Sequence, residues 1–417
     1  EIERIPDGDY HAESWLDNDG RNWEVPLKVN VTVKVRGSDV VIDLTGSADE
    51  VETAYNVPFE GSLQVGCFYV IRTLMLDDAE SEEFIPQNDG MFRPISAVAP
   101  KGSIFNPNFP RACTSRMAQI QRVIDCVIRA LAPVIPDRVT AGNAATVMTI
   151  SYSGFHAERQ QYWVCVEINE GSYGGRATKD GLDTVDNLLA NTRNVPIEEV
   201  EMQYPLRVER YQMRDEPPGA GRWRGGIGVT REVRFLVDGF MSANGDRHLE
   251  APVGIFGGRD GWPGKLTKNP GQADEEAWPS KATGLRLKAG DSLLYAGAIG
   301  GGYGDPMDRD SHAVLDDWLD DHITTDIAAH TYGVIIDSDG AIDIEATEQA
   351  RTAYSTRRQG VINDPASLSV TAAAHAIAAR HLTSEALVES LLTRIDAREA
   401  GVGAWAWLDP EQLRTQA

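Results

Sequence analysis

Residues 28–44 read KVNVTVKVRGSDVVIDL. Val29, Val31, Val33 and Val35 alternate with Lys28, Asn30, Thr32 and Lys34, the two-residue period of a strand with one buried face. Gly37-Ser38-Asp39 supplies a turn and Val40 to Leu44 returns, so the stretch predicts a hairpin. Helical periodicity flanks the loop-rich segment 77–112. Over 62–76, Ser62 stands at a capping position, and Leu63, Cys67, Val70 or Ile71, and Leu74 share a face. After Thr114 or Ser115, the residues Met117, Ile120, Ile124, Val127 and Leu131 recur at helical spacing until Pro133. Strands and helices in this arrangement predict an α+β class, with a β-rich multi-layer body, a few packed helices and a short C-terminal helical hairpin.

From residue 145 to 300, glycine clusters at 171–175, 219–228, 257–264 and 297–304 separate short apolar runs. Trp163–Ile168, Val229–Val237 and Leu285–Leu294 read as strands joined by tight turns. Tyr332–Asp337 predicts a strand and Ile344–Arg357 a helix. A linker is expected at 360–366, after which the composition turns to Ala and Leu. Thr371–Arg380 then predicts one helix. Thr383 or Ser384 caps a second, with Leu387, Val388, Leu391, Leu392 and Ile395 as its apolar stripe. The expected divisions are 1–140 (hairpin and helices), 141–310 (Gly-rich β region), 311–359 (an α/β cap) and 360–417 (linker and helical tail).

The chain has 417 residues, too many for one ordinary core. Its formal net charge of −24, from 39 basic and 63 acidic side chains, repels phosphate backbones and argues against a nucleic-acid partner. No apolar run reaches the length of a membrane span. The opening EIERIPDGDY has neither a basic start nor an apolar stretch, so no secretory signal is expected there. It lacks an initiating Met and reads as the interior of a longer chain. Cys67, Cys113, Cys126 and Cys165 form no CxxC pair, which fits buried free thiols in a reducing cytoplasm.

The motif with most chemistry is Glu167-Ile168-Asn169-Glu170-Gly171-Ser172-Tyr173-Gly174-Gly175-Arg176, followed by Asp180 and Asp183. Glycines admit close approach of a ligand or another chain segment, carboxylates can move protons, and an arginine can clamp a carboxylate. Glu167, Glu170, Tyr173, Arg176, Asp180 and Asp183 are therefore the candidates for a pocket wall. The same pattern also fits a tight turn with solvated charges. Gly219–Gly228 is preceded by Pro217-Pro218 and followed by an apolar run, the reverse of a dinucleotide loop, and predicts a hairpin-type turn. No HExxH or HxH pair occurs among the histidines, so neither a metal site nor a cofactor site is expected within the chain. Asp246-Arg247-His248 reads as a surface triplet. Cys113, beside a helix start, reads as packed in the helix core rather than as a nucleophile.

Several blocks, in one order, resemble the hydantoinase B/oxoprolinase B family. They are PDGDY near the start, VVIDLTGSADEV at 40–51, AYNVP at 54–58, NDGMFRPISAVAPKGSIFNPNFP at 88–110, and RATKDGLDTVDNLLANTRNVPIEEVEMQYPLRVERYQMR at 176–214. GAGRWRGGIGVTREVRF, GIFGGRDGWPG and IGGGYGDPMDRD continue the series, which spans about residues 5–358. The resemblance implies a heteromer with an ATP-binding A-type subunit that opens cyclic amides such as hydantoin, 5-oxoproline or lactams. It also implies a divalent metal, Zn or Mn, in an N-terminal part that would precede PDGDY, and ATP with Mg on the partner. Ketone carboxylases are relatives, and a non-catalytic scaffold piece is the remaining alternative. Residues 368–411 resemble the first two helices of amidase-signature hydrolases, without the catalytic triad, and so predict a truncated amidase-like segment.

Overall fold

The computed structural model describes residues 1–76, 85–86, 88–360, 365–378, 382–402 and 408–416. Linker residues 361–364, part of the 77–112 segment, the end of the 371–380 helix, His381 and the 403–407 stretch of the tail lie outside them. The contacts divide the chain into two units, residues 1–310 with 320–323, and residues 311–319 with 324–417.

The first unit is mixed α+β. Its first sheet has the order β1 (Gly8–Leu16), β2 (Leu27–Arg36), β3 (Asp39–Asp43), β4 (Ile95–Val98), antiparallel except for the parallel β3–β4 pair. The expected hairpin is β2–β3. Val29, Val31, Val33 and Val35 are fully buried, each contributing roughly 1.5–3 kcal/mol relative to exposure. They pack against α1 (Gln64–Met75) and α3 (Met117–Leu131), with the four-residue α2 (Asp89–Phe92) between these helices in sequence. Leu63, Cys67, Val70, Ile71 and Leu74 are buried as the periodicity predicts. Ser62 does not cap α1: a π-type turn over Phe59–Leu63 leads into the helix, and the Ser62 hydroxyl accepts from Arg116 Nε at 3.1 Å.

Two further sheets face each other. One has the order β11 (Glu276–Trp278), β10 (Lys265–Lys268), β13 (Ser292–Ala296), β8 (Val229–Phe235), β7 (Leu206–Met213). The other runs β12 (Lys281–Leu287), β9 (Gly239–Asn244), β5 (Met148–His156), β6 (Gln161–Asn169). Tyr152, Trp163, Phe235, Met241, Leu287 and Tyr295 fill the space between them, and α4 (Ile197–Gln203) contributes Val200. Leu285–Leu294 is therefore not one strand. Gly290, at φ +95°, turns the chain so that β12 ends in one sheet and β13 begins in the other.

Most of the glycine clusters are not the tight turns expected from sequence; 255–258 is one, with Phe256 and Gly257 at positive φ and Gly258 N donating to Ile255 O at 3.0 Å. Segments around 142, 171–175, 219–228, 253–261 and 297–304 lie beside one another and exchange backbone hydrogen bonds. Gly142 N donates to Val253 O at 2.7 Å, Gly301 N to Gly142 O at 2.9 Å, Gly175 N to Gly301 O at 2.9 Å, and Gly300 N to Gly226 O at 2.9 Å. Gly219–Gly228 is one of these segments, with Trp223 and Tyr303 exchanging both backbone bonds. A Cβ on Gly225 would run into the carbonyl of Gly300, and one on Gly302 into the carbonyl of Ala220. The missing side chains are what let backbone lie on backbone.

In the second unit, α5 (Ser311–Leu319) and α6 (Thr325–Tyr332) precede α7 (Ile344–Gly360). Tyr332–Asp337 is not a strand. Tyr332 closes α6, Gly333 caps it in the left-handed conformation, and Ile336 forms only a single bridge with Ile342. The cap by Thr324, whose hydroxyl accepts from Ile327 N, and the Gly333 stop outweigh the apolar alternation. The tail holds α8 (Val370–Ala378), α9 (Ser384–Val402) and α10 (Pro410–Gln416). Thr383 caps α9 by accepting from Ala386 N at 3.1 Å. Of the predicted stripe, Leu392 is buried, Leu387, Val388 and Ile395 are half-buried, and Leu391 is exposed. Among the described residues no helix is long and apolar enough to cross a membrane.

Gly225→Ala is expected to lower stability by more than about 2 kcal/mol, because backbone must move to admit the methyl group. Gly37→Asn, in a left-handed turn with open space around it, is expected to cost less than about 1 kcal/mol. Urea unfolding of the two variants checks the contrast.

Candidate functional site

The six sequence candidates do not converge on one pocket. Glu167 points inward from β6 and is buried. Arg231 of β8, also buried, donates from Nε to Glu167 Oε2 at 3.1 Å and from Nη2 to Oε1, and lies over the Tyr211 ring. The pair is a strut between the two facing sheets. Asp183 accepts from both terminal nitrogens of Arg224, at 2.8 and 3.2 Å, and from Ile227 N at 2.7 Å. Burial pushes its carboxyl up, but the Arg224 bonds and charge outweigh this and hold it below its ordinary value. Asp180 accepts from Arg309 at 2.7 and 2.8 Å and from Arg224 N at 2.8 Å. Arg176 folds back onto the carbonyl of Asp180, at 3.2 and 2.6 Å. Tyr173 takes part through its backbone, donating to Leu182 O and accepting from Gly226 N. Asp180, Asp183 and Arg176 therefore fasten the glycine segments together.

Glu170 stands apart. It follows β6, and its Oε2 accepts from Asn194 Nδ2 at 3.2 Å and from the Tyr211 hydroxyl at 3.4 Å. Burial pushes its carboxyl above the ordinary glutamate value. Of the six it is the one poised to hold a proton, the property a general acid needs.

A second concentration of charge escapes the sequence reading. Asp246-Arg247-His248 is not a surface triplet. Asp246 accepts from Arg122 Nη2 at 2.6 Å and from Lys281 Nζ, and all three side chains are fully buried. Arg247 reaches Asp125 at 3.0 Å and the carbonyl of Asn143 at 3.1 Å. Ser14 donates to Glu250 at 2.5 Å, and Arg122 donates to both. Asp17 accepts from His248 N and Leu249 N, each at 2.9 Å, and from the Ser280 hydroxyl at 2.6 Å. Burial pushes Asp17 up, but the Lys281 charge and the hydrogen bonds from the Ser280 hydroxyl and the His248 amide outweigh it and hold the carboxyl below its ordinary value. Burial pushes the His248 imidazole down, so it is neutral near pH 7. Its Nε2 is closed to solvent without a hydrogen-bond partner. Arg247 has φ +74°, a conformation that costs a non-glycine residue about 1–3 kcal/mol and persists where surroundings impose it.

This network ties α3 and the end of β1 to the loop after β9 and the start of β12. Beside it lies a cleft of about 380 Å³, lined in part by Asp17, Trp23, His248, Trp278, Ser280 and Leu285. A neutral imidazole, a carboxylate and two indoles suit a small polar ligand with a flat face. The sequence signal was Arg122 and Asp125, charges set among the apolar residues Ile120, Val123, Ile124, Val127 and Ile128 of α3. Among the described residues no group of three or more His, Cys, Asp or Glu is arranged to hold a metal. Cys67, Cys126 and Cys165 are buried free thiols, while Cys113 is only half-buried. Cys113 is thus not core-packed as expected, and desolvation raises rather than activates its thiol.

Arg231→Met strands the Glu167 carboxylate between the sheets and is expected to cost about 3–5 kcal/mol, most of it recovered in Arg231→Met/Glu167→Leu. A double-mutant cycle by urea unfolding reads the coupling. Because burial raises Glu170, its neutral form favours the fold. That contribution is present below the ordinary glutamate value and is lost as pH rises through the raised one. Glu170→Gln is expected to flatten the melting temperature against pH across that interval and to leave neutral-pH stability undiminished, as thermal scans over pH would show.

The family model described as hydantoinase B/oxoprolinase matches residues 1–306. A protein of Pseudomonas sp. (strain NS671), named as the B component of a D-/L-hydantoinase, is 42% identical over 355 residues, 84% of this chain and 59% of that protein. The crystal structure of an ATP-dependent caprolactamase from Pseudomonas jessenii superposes with a TM-score of 0.71 at 22% identity, covering 84% of this chain and 61% of that one. A nucleotide-free acetone carboxylase structure superposes with a TM-score of 0.69 at 19% identity, covering 99% of this chain and 62% of that one. In each case the chain spans about three fifths of the other protein's length. The amidase resemblance of 368–411 finds no support in these comparisons, and the family match ends before it. The chain belongs to the hydantoinase B/oxoprolinase family.

Proposed function

We propose that this chain forms the β-rich portion of a B-type subunit that, with an ATP-binding A-type partner, opens a cyclic amide such as hydantoin, 5-oxoproline or a lactam. The observation that carries the reading is the 42% identity, over most of this chain, to a protein named as a hydantoinase component. The carboxylase likeness rests on 19% identity and speaks for the fold. A hydrolase must protonate the leaving amide nitrogen, and Glu170 is the candidate acid: burial favours its protonated form, and Asn194 and Tyr211 orient it. Its neighbours Glu167, Asp180 and Asp183 stay paired with arginines and act by holding the wall in place.

The family's divalent metal, Zn or Mn, does not fit the described residues, which offer no three-ligand group. We assign the metal to the part of the relatives' length that this chain does not span, and ATP with Mg to the partner. The reading places the protein in the cytoplasm, where ATP is at hand.

Mixing a full-length B-type subunit that contains this sequence with an A-type subunit, ATP, Mg and the divalent metal is expected to give ring opening of a cyclic amide, read as product and ADP formation, with no dependence on bicarbonate. Bicarbonate-dependent consumption of a ketone would replace this reading with a carboxylase. Glu170→Gln in that complex is expected to lower turnover about 100-fold or more if the group transfers a proton; unchanged turnover would reduce the chain to a scaffold.

A further inference from the structure

Arg231 has one counter-charge and two aromatic neighbours. In its sheet it stands between Tyr211 of β7 and Tyr295 of β13, its cross-strand partners on either side. Its guanidinium lies over the Tyr211 ring, 4.6 Å from the centroid. Among the described residues Glu167 is the one carboxylate that pairs with it, accepting from Nε at 3.1 Å and from Nη2. The third nitrogen, Nη1, is closed to solvent and finds no hydrogen-bond partner among those residues.

Glu170 lies beside the same tyrosines. The Tyr211 hydroxyl donates to its Oε2 at 3.4 Å, and Asn194 Nδ2 reaches both the Tyr211 oxygen, at 2.7 Å, and Oε2, at 3.2 Å. A charge on Glu170 acts on Tyr211 and on Tyr295 alike. The groups that face it are therefore Asn194 from the loop before α4, Tyr211 of β7, Tyr295 of β13 and Arg231 of β8, which supplies the cation. Arg214, which also acts on Tyr295, is itself paired with Glu216.

A bare guanidinium one phenol away from a carboxyl favours its ionised form. A guanidinium held by a carboxylate presents opposite charges that largely cancel at the distance of Glu170. Burial is then free to dominate: it pushes the Glu170 carboxyl up against the pull of its own amide, Asn194, Tyr211 and Arg231. Joining the two sheets does not by itself require charge, because apolar residues of similar volume hold such a place as well as a buried ion pair does. The ion pair has a second use within reach, at Glu170.

We propose that Glu167 is a positioning residue for the acid: it binds the Arg231 charge into a pair between the sheets, so that the carboxyl of Glu170, three residues along, meets phenols and an amide instead of a free cation. The proposal rests on the reading of Glu170 as the proton donor. It gives the two glutamates complementary parts, one committed to an arginine and the other left to carry a proton. Tyr211 is the link between them. Arg231 covers its ring face, Asn194 donates to its oxygen, and its single hydrogen goes to Glu170 Oε2. The carboxyl is thereby held in one place in both its neutral and its ionised form.

The test is an infrared pH titration of the Glu170 carboxyl in a full-length B-type subunit that contains this sequence. Each protein is compared with the same protein carrying Glu170→Gln, which isolates the Glu170 band. Glu167→Gln keeps an acceptor for Arg231 but removes the counter-charge, and is expected to lower the midpoint by about one pH unit or more, a roughly tenfold change in ionisation. Arg231→Gln leaves Glu167 an amide donor but removes the cation, and is expected to move the midpoint up; it decides the matter should Glu167→Gln fail to fold. Arg231→Met/Glu167→Leu removes both charges and is expected to titrate close to the wild type. Opposite shifts in the two single variants are the signature of charge, which a purely structural role of the pair would not produce. An unchanged midpoint in either single variant, shifts of the same sign in both, or a fall in the double variant as large as in Glu167→Gln would overturn the proposal. The titration reads Glu170 whether or not the complex opens a ring, whereas turnover of Glu170→Gln tests the reading of Glu170 as the acid on its own.

Discussion

Where the glycine segments meet, main chain lies directly on main chain, and the rest of the first unit is arranged around that contact. Backbone amides and carbonyls there bond to other segments rather than to regular sheet neighbours, as in the relay from Val253 through Gly142 and Gly301 to Gly175. The requirement is steric before it is conformational. These positions need the absence of a Cβ, because another carbonyl occupies the place it would take. Buried amides left unpaired would each cost about 1–3 kcal/mol, so the segments hold together as a set. Asp180 and Asp183 fasten the set through Arg309 and Arg224, and that role accounts for their carboxylates without chemistry.

The second constraint is the ionic cluster around Asp246. Arg122, Lys281 and Asp246 are removed from water together, an arrangement that is costly to assemble and more costly to break one-sidedly. It fixes the helix α3, the first sheet's edge strand and the β9–β12 region in one geometry. The same cluster sets the backbone of Arg247 and the ring of His248 at the wall of a cleft. Structural charge and a cleft are therefore adjacent here, and the paired charges of Glu167 and Arg231 likewise lie beside Tyr211 and Glu170.

Much of the architecture was legible in residue periodicity. The valines of β2 announced themselves because that strand buries one face; the apolar stripe of α3 was equally plain, although the helix is buried almost all round, its polar residues included. Leu285–Leu294 misled because a turn at Gly290 lies within an apolar run that serves two sheets. Tyr332–Asp337 misled because helix caps on either side of α6 carry more energy than a short alternation. The glycine clusters were visible, but their mutual packing was not: nothing in one segment names its partner. The site was harder still. Glu167 and Glu170 are three apart in sequence, yet one is neutralised by Arg231 from another sheet and the other is left with an amide and a phenol. Arg122 and Asp246 are joined only by the fold.

On this account the chain works within a heteromer. Native mass spectrometry on protein isolated from its own source, with collision-induced release of subunits, tests that most directly. The expected result is a complex in which a chain containing this sequence is released together with a distinct ATP-binding subunit. Finding this sequence only in species without such a subunit would contradict it.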